Sequence, residues 1–255
     1  MEGTAVHDEG VLFQQEDGIA QLTLNHPEQR NAIGNQEIAL IFDALDRLDS
    51  STRVLIIRSR GPVFCAGANL RQITDGSMRG EDFQAMTNRI ANVHCPTIAV
   101  LEGNVYGGGA ELIFSCDFRL AQTSGHLRIP AALVGLCYPI DGIERMTQRL
   151  GSALVRRLLL TTQPVSFEAL HHRSAIDYLV EESALDAELE GLVSTIRSLA
   201  PLSIQTMLRT IKSVEAGTLD RAKAEREAAT CLESEDFNEG LTAQREKRAP
   251  VFTGR

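Results

Sequence analysis

The sequence has no apolar run approaching the ~18–20 residues that a membrane span needs, so no membrane-spanning chain and no membrane partner are expected. It also has little positive charge. Lys and Arg number 25 against 34 Asp and Glu, for a net charge of −9. Nucleic-acid binding requires a basic stripe that neutralises phosphates. The largest cationic cluster is Arg245, Lys247 and Arg248, which is too small for that role. Several chemical signatures are missing as well. There is no CxxC and no cysteine–histidine pair at zinc-ligand spacing, so no metal site is expected. There is no GxGxxG, no GxxxxGK[ST] and no GxSxG, which leaves dinucleotide, P-loop and serine-triad chemistry unsupported. The cysteines (Cys65, Cys95, Cys116, Cys137, Cys231) are odd in number and widely spaced. They read as reduced thiols of a cytoplasmic protein. Residues 1–10 are polar and acidic and do not read as a signal peptide.

What is present is ordinary globular composition, 43% hydrophobic and 23% charged over 255 residues, which excludes disorder as the main state. A hairpin is expected from 11–15 and 19–24 around Asp17-Gly18. Apolar residues at Ile38, Ile41, Phe42, Leu45 and Leu48 predict a helix over 36–48. Buried strands are expected at 54–58, 97–101 and 118–121, with helices at 81–93 and 110–116 between them. Strands alternating with helices argue for parallel α/β units. Beyond Pro130 the chain turns helical, over 143–150, 153–160, 167–173, 184–199, 201–214 and 219–247. One short strand at 178–180 interrupts this region, and a break is expected near 238–240.

Two glycine-bearing loops follow buried strands. They run from Gly61 to Leu70 and from Gly103 to Glu111. Ligands of parallel sheets bind beyond the carboxyl ends of strands. Gly107-Gly108-Gly109 opens a helix, where unpaired and unshielded N–H groups favour an anion. If that anion is a transient enolate oxygen, the same groups form an oxyanion hole, with a second donor from the loop at 66–69. Tight packing is the other use of such glycines. Glu111 lies in the first turn of the same apolar segment. A buried carboxylate there acquires a raised pKa, as a general acid/base needs.

The segment from Phe64 to Leu70 resembles the "FCAGADL" motif of the crotonase (enoyl-CoA hydratase/isomerase) superfamily. Gly107 to Leu112, followed by Cys116-Asp117-Phe118-Arg119, is similar to its "GGGxEL…CD.R" motif. Asn25 to Ala32 resembles "N.P...NA", and Lys247 to Gly254 resembles "KR.P.F.G". The resemblance spans residues 11 to 255. It implies an α/β fold, a spiral of ββα units with a helical C-terminal trimerisation region. The corresponding division is a core over 1–195 and a helical region over 196–255. It implies an acyl-CoA thioester as substrate, with no cofactor beyond coenzyme A as part of that substrate, and a homotrimer or dimer of trimers.

Carried over residue by residue, the backbone N–H groups of Ala68 and Gly108 would be the oxyanion donors and Glu111 the general acid/base. Arg30, Ala32, Ala66, Asn69, Leu70, Tyr106 and Ala131 would line the substrate path. The C-terminal basic cluster is a second candidate, with Arg30, for the phosphates. Three departures stand out. Where hydratases carry a second glutamate after a proline, this chain has Pro130-Ala131. Asn69 replaces an aspartate. Cys137-Tyr138-Pro139-Ile140-Asp141-Gly142 replaces a glycine-rich stretch. Tyr138 could orient a carboxylate, as in decarboxylating relatives, and Asp141 or Glu144 could replace the lost glutamate. The expected function is acyl-CoA enolate chemistry with one carboxylate. A malonyl-type acyl-CoA decarboxylase and a non-catalytic acyl-CoA binder are the alternatives.

Overall fold

The computed structural model describes residues 10–255. The reading of no signal peptide falls on residues that, Gly10 aside, lie outside the described ones. The chain opens with the expected hairpin. β1 (Val11–Glu16) and β2 (Ile19–Leu24) pair antiparallel. Asp17 and Gly18 both take positive φ, 49° and 77°, the geometry that matches a tight turn to strand twist. α1 (Asn35–Asp46) follows and buries Ile38, Ile41 and Leu45 on one face.

Three strand–strand–helix units then follow one another. The first is β3 (Val54–Ser59), β4 (Val63–Cys65), α2 (Leu70–Thr74) and α3 (Gly80–Ala91). The second is β5 (Thr97–Leu101), β6 (Asn104–Tyr106) and α4 (Gly108–Ser115). The third is β7 (Phe118–Gln122), β8 (His126–Arg128) and α5 (Ile140–Thr161). In each unit the first strand joins one sheet and the second joins another. After β9 (Val165–Ser166), α6 (Phe167–His171) and β10 (Tyr178–Val180), the large sheet has the order β1-β2-β3-β5-β7-β10 and the small one β4-β6-β8-β9. The large sheet advances one strand per unit, parallel from β2 onward. This is the spiral expected from the sequence.

Alternation along the strands builds two cores. Leu55, Ile57, Ala99 and Leu101 face the helices α1, α3, α4 and α5 in the larger core. Val54, Ile56, Ile98 and Val100 face the other way. They meet α7 (Leu185–Arg197), whose Leu185, Leu189, Val193 and Ile196 form a helical stripe. Residue 196 thus still belongs to a helix packed on the sheet. The chain leaves that packing at Pro201, the first residue of α8 (Pro201–Glu215), and continues into α9 (Arg221–Leu232) and α10 (Glu235–Glu246).

Several details differ from the sequence expectations. β4 and β6 lie in stretches read as loops, and β8 in a stretch given no element. Each has three residues, too few for a period to register. The helices expected over 143–150 and 153–160 form one element broken at Gly151, where φ is 74°. The C-terminal break falls at Ser234, not at 238–240. The Ser234 hydroxyl caps α10 by accepting from the Phe237 amide at 3.1 Å, and Gly240 lies inside the helix. Among the described residues no helix is long and apolar enough to cross a membrane.

Candidate active site

Three separate segments converge where the two glycine loops leave their strands. The segment 30–33 runs beside 66–69. The Ala66 amide donates to the Arg30 carbonyl at 2.9 Å, the Ile33 amide to Gly67 at 2.8 Å, and the Asn69 amide to Ile33 at 2.8 Å. Asn31 fixes this arrangement. Its side chain is buried, accepts from the His26 amide and donates to the carbonyls of Arg60 and Val63. Gly67 has φ +91°, and a Cβ there would sit 2.4 Å from the Gly108 nitrogen. Gly107 has φ 51° and ψ −123°, open to glycine and costly for a side chain. The two loops therefore touch through backbone. The Ala68 and Gly108 amides have no hydrogen-bond acceptor among the described residues, and a Cβ on Gly108 would lie 3.3 Å from the Ala68 nitrogen. Two unpaired donors are adjacent, one of them at a helix start.

These donors edge a cavity of about 500 Å³. Of the residues named from the sequence, Ala66, Ala68, Leu70, Gly108, Glu111, Ala131 and Tyr138 line it. Phe83, Val134 and Leu136 add to an apolar wall. Five expected residues lie outside this lining. Arg30 is exposed and turns the chain at φ 53°. Ala32 sits in the same turn, its amide donating to Gln29. Asn69 caps α2, its side chain accepting from the Arg71 and Gln72 amides. Tyr106 packs edge-on against His126, with ring centroids 5.4 Å apart, because strand alternation turns it away from the glycines. Asp141 borders a separate polar cleft with Asn88, Glu144 and Lys212, and neither Asp141 nor Glu144 lines the Glu111 cavity. In the C-terminal cluster, Arg248 is engaged by Glu239 and Glu246.

Glu111 is the buried acid of the cavity, 1% exposed. The other acid in the lining, Glu81, is exposed at the mouth and lies 3.6 Å from Arg79. Oε1 of Glu111 accepts from the Thr87 hydroxyl at 2.8 Å and from Arg145 Nη1 at 3.4 Å. Oε2 has no partner among the described residues. Burial raises the Glu111 pKa above its ordinary value, and the Thr87 hydrogen bond and the Arg145 charge oppose that rise. A carboxyl whose pKa is raised by burial is suited to acid/base work. The Tyr138 hydroxyl donates to the Gly107 carbonyl at 3.2 Å. Burial, and then the charge of Glu111, push its pKa well up, so it stays a neutral donor. The sequence pointed to Asn31 only as part of a resembling motif, and to Thr87, Asn88 and Arg145 not at all. The i, i+4 spacing of Glu111 with Ser115 and of Asp141 with Arg145 was the available signal for part of this set.

A family model described as enoyl-CoA hydratase/isomerase matches residues 14–255. The human protein named enoyl-CoA hydratase domain-containing protein 2, mitochondrial, is 31% identical, over 96% of this chain and 89% of its own length. An enoyl-CoA isomerase/hydratase of Mycosarcoma maydis is 30% identical, over 93% of both chains. Among solved structures, an enoyl-CoA hydratase from Mycobacterium tuberculosis H37Rv superposes with a TM-score of 0.87 at 28% identity, covering 97% of this chain and 100% of that one. An enoyl-CoA hydratase/carnithine racemase from Magnetospirillum magneticum gives 0.89 at 26% identity, covering 96% of each. The spiral fold, the joined glycine loops and these likenesses along nearly the whole chain agree: the chain belongs to the enoyl-CoA hydratase/isomerase family, the crotonase superfamily.

Proposed function

We propose that the protein is an acyl-CoA enzyme that moves a double bond along the acyl chain, with Glu111 as its one proton carrier. The observation that carries this reading is the state of the Glu111 carboxylate. One oxygen is clamped and the other is unpartnered, at an apolar cavity where position 131 is alanine. The thioester oxygen of a 3-enoyl-CoA accepts from the Ala68 and Gly108 amides. Glu111 Oε2 takes a proton from C2, and the C–H electron pair becomes a dienolate whose charge rests on that oxygen. Donors fixed in advance at such a site stabilise the developing charge without reorganising. Glu111, once its carboxyl proton has exchanged with water, protonates C4, and the double bond ends between C2 and C3. Atoms and charge balance with no co-reactant.

Water addition needs a second group to hold and deprotonate water, and Ala131 supplies none. A malonyl-type substrate would place a second anion near Glu111, and the Tyr138 hydroxyl is already given to Gly107. Self-association through the C-terminal helices is supported by an exposed apolar row on α8, Met207, Ile211 and Val214.

The test is mass spectrometry of products in D₂O from a 3-enoyl-CoA, a 2-enoyl-CoA and methylmalonyl-CoA. A moved double bond carrying deuterium is expected. Water addition alone would establish a hydratase instead, and CO₂ loss a decarboxylase. Binding of coenzyme A with no product from any substrate would favour the non-catalytic binder.

A further inference from the structure

We infer that Arg145 is a positioning residue for Glu111: it docks Oε1 and leaves the unpartnered Oε2 as the oxygen that carries the proton. This rests on the reading of Glu111 as the proton carrier. Three helices each bring two residues to the spot. α3 gives Thr87 and Asn88, α4 gives Glu111 and Ser115, and α5 gives Asp141 and Arg145. Arg145 Nη1 donates to Ser115 Oγ at 3.0 Å and to Glu111 Oε1 at 3.4 Å. Arg145 Nη2 donates to Asn88 Oδ1. Asn88 Nδ2 in turn donates to Asp141 Oδ2 at 3.3 Å. The guanidinium is thus held from two sides before it reaches the carboxylate. A planar fork held in this way fixes its partner's orientation better than a flexible ammonium can.

The chain of contacts gives Asp141 a place in the site other than that of a missing acid. It anchors Asn88, which anchors Arg145. The polar cleft that Asp141 borders also reaches Asn88 and Arg145, so this network forms the rear wall of the Glu111 site. The charges around Glu111 come from few groups. α5 supplies Arg145 and Asp141, and Tyr138 lies just before it. Thr87 and Asn88 of α3, and Ser115 of α4, are neutral. Among the described residues, Arg145 is therefore the one cation whose charge opposes the burial of Glu111. An opposite charge at such a distance favours the ionised carboxylate.

The experiment is a carbon-13 carboxyl NMR titration of Glu111 in the full chain without substrate, the signal assigned by its loss in Glu111→Gln. It is run alongside kcat and KM. Arg145→Ala is expected to raise the midpoint by about one pH unit or more. It should lower kcat by roughly 10–100-fold with KM little changed, the mark of a misplaced acid/base group. Arg145→Lys, which keeps charge, should lie nearer wild type in midpoint than Arg145→Ala does. A midpoint and kcat unchanged in Arg145→Ala would overturn the inference, as would equal effects of the Ala and Lys variants. If Arg145→Ala does not fold, Asn88→Ala decides. A raised midpoint supports the positioning role, and a wild-type midpoint refutes it. The titration needs no turnover, so a wild-type protein inactive on the substrate panel would count against the proposed reaction and leave the Arg145 result readable.

Discussion

A Cβ on Gly67 would lie 2.4 Å from the backbone nitrogen of Gly108. The two loops meet closer than any side chain allows, and their contact sets the Ala68 and Gly108 amides side by side. Gly67→Ala should therefore part the loops. Loss of one preorganised oxyanion donor typically lowers turnover on the order of 10²–10³-fold. That drop is expected, with circular dichroism showing a folded chain. Gly108→Val should do the same, since a Cβ there meets Phe83 at 2.9 Å. Wild-type turnover in both variants would remove these amides from the chemistry.

Glu111 should weaken the fold at neutral pH. Its folded pKa is raised above the ordinary 4.5, chiefly by burial. The folded state then binds more protons than the unfolded one as pH rises through the ordinary value. Stability falls across that window until the raised folded pKa is passed, and the penalty is full above it. Glu111→Gln removes the titration. It should melt at a higher temperature than wild type at pH 7, with the difference shrinking below the ordinary carboxylate range. Melting curves at neutral and acid pH check this. A difference independent of pH would contradict it.

Ala131 begins a short helical turn after Pro130 and lines the cavity. Ala131→Glu would place a second carboxylate where two-glutamate hydratases are expected to hold water. Water addition to a 2-enoyl-CoA should rise by at least about 10-fold over wild type, a small part of the usual general-base effect. Mass spectrometry for the hydrated product gives the answer. No gain in a folded variant would mean that alanine at 131 is not what limits hydration.

Tyr138 holds the glycine turn through its hydrogen bond to the Gly107 carbonyl. Tyr138→Phe deletes that bond and should cost about 0.5–1.5 kcal/mol of stability. Turnover should fall less than about 10-fold, because no proton of the reaction passes through a hydroxyl already committed. A loss comparable with that of Glu111→Gln would make Tyr138 a participant.

Much of this site was legible in the sequence, for physical reasons. Val54, Ile56, Ile98 and Val100 are β-branched residues in buried parallel strands, and such runs stand out from their surroundings. The glycines of both loops and the isolated Glu111 in an apolar helix were equally visible. What was hidden depended on distance in sequence. Nothing near Arg145 indicates that Asn88, 57 residues away, will grip it. Asp141 reads as a spare acid in the sequence, whereas the fold sets it against Asn88 and outside the cavity lining. Asn69 sits inside one matching motif and Tyr106 just before another, but they face a helix cap and a histidine ring. Proximity in a motif placed their backbones and left their side chains undetermined.

The most direct measurement follows deuterium at C2 and C4 of a 3-enoyl-CoA by NMR, for wild type and Glu111→Gln, with coenzyme A binding measured in parallel. Wild type should label both positions as the double bond moves. In the variant, labelling should fall on the order of 10²–10⁴-fold, as for loss of a general acid/base, with binding retained. Equal labelling in the two proteins would show that another group carries the proton.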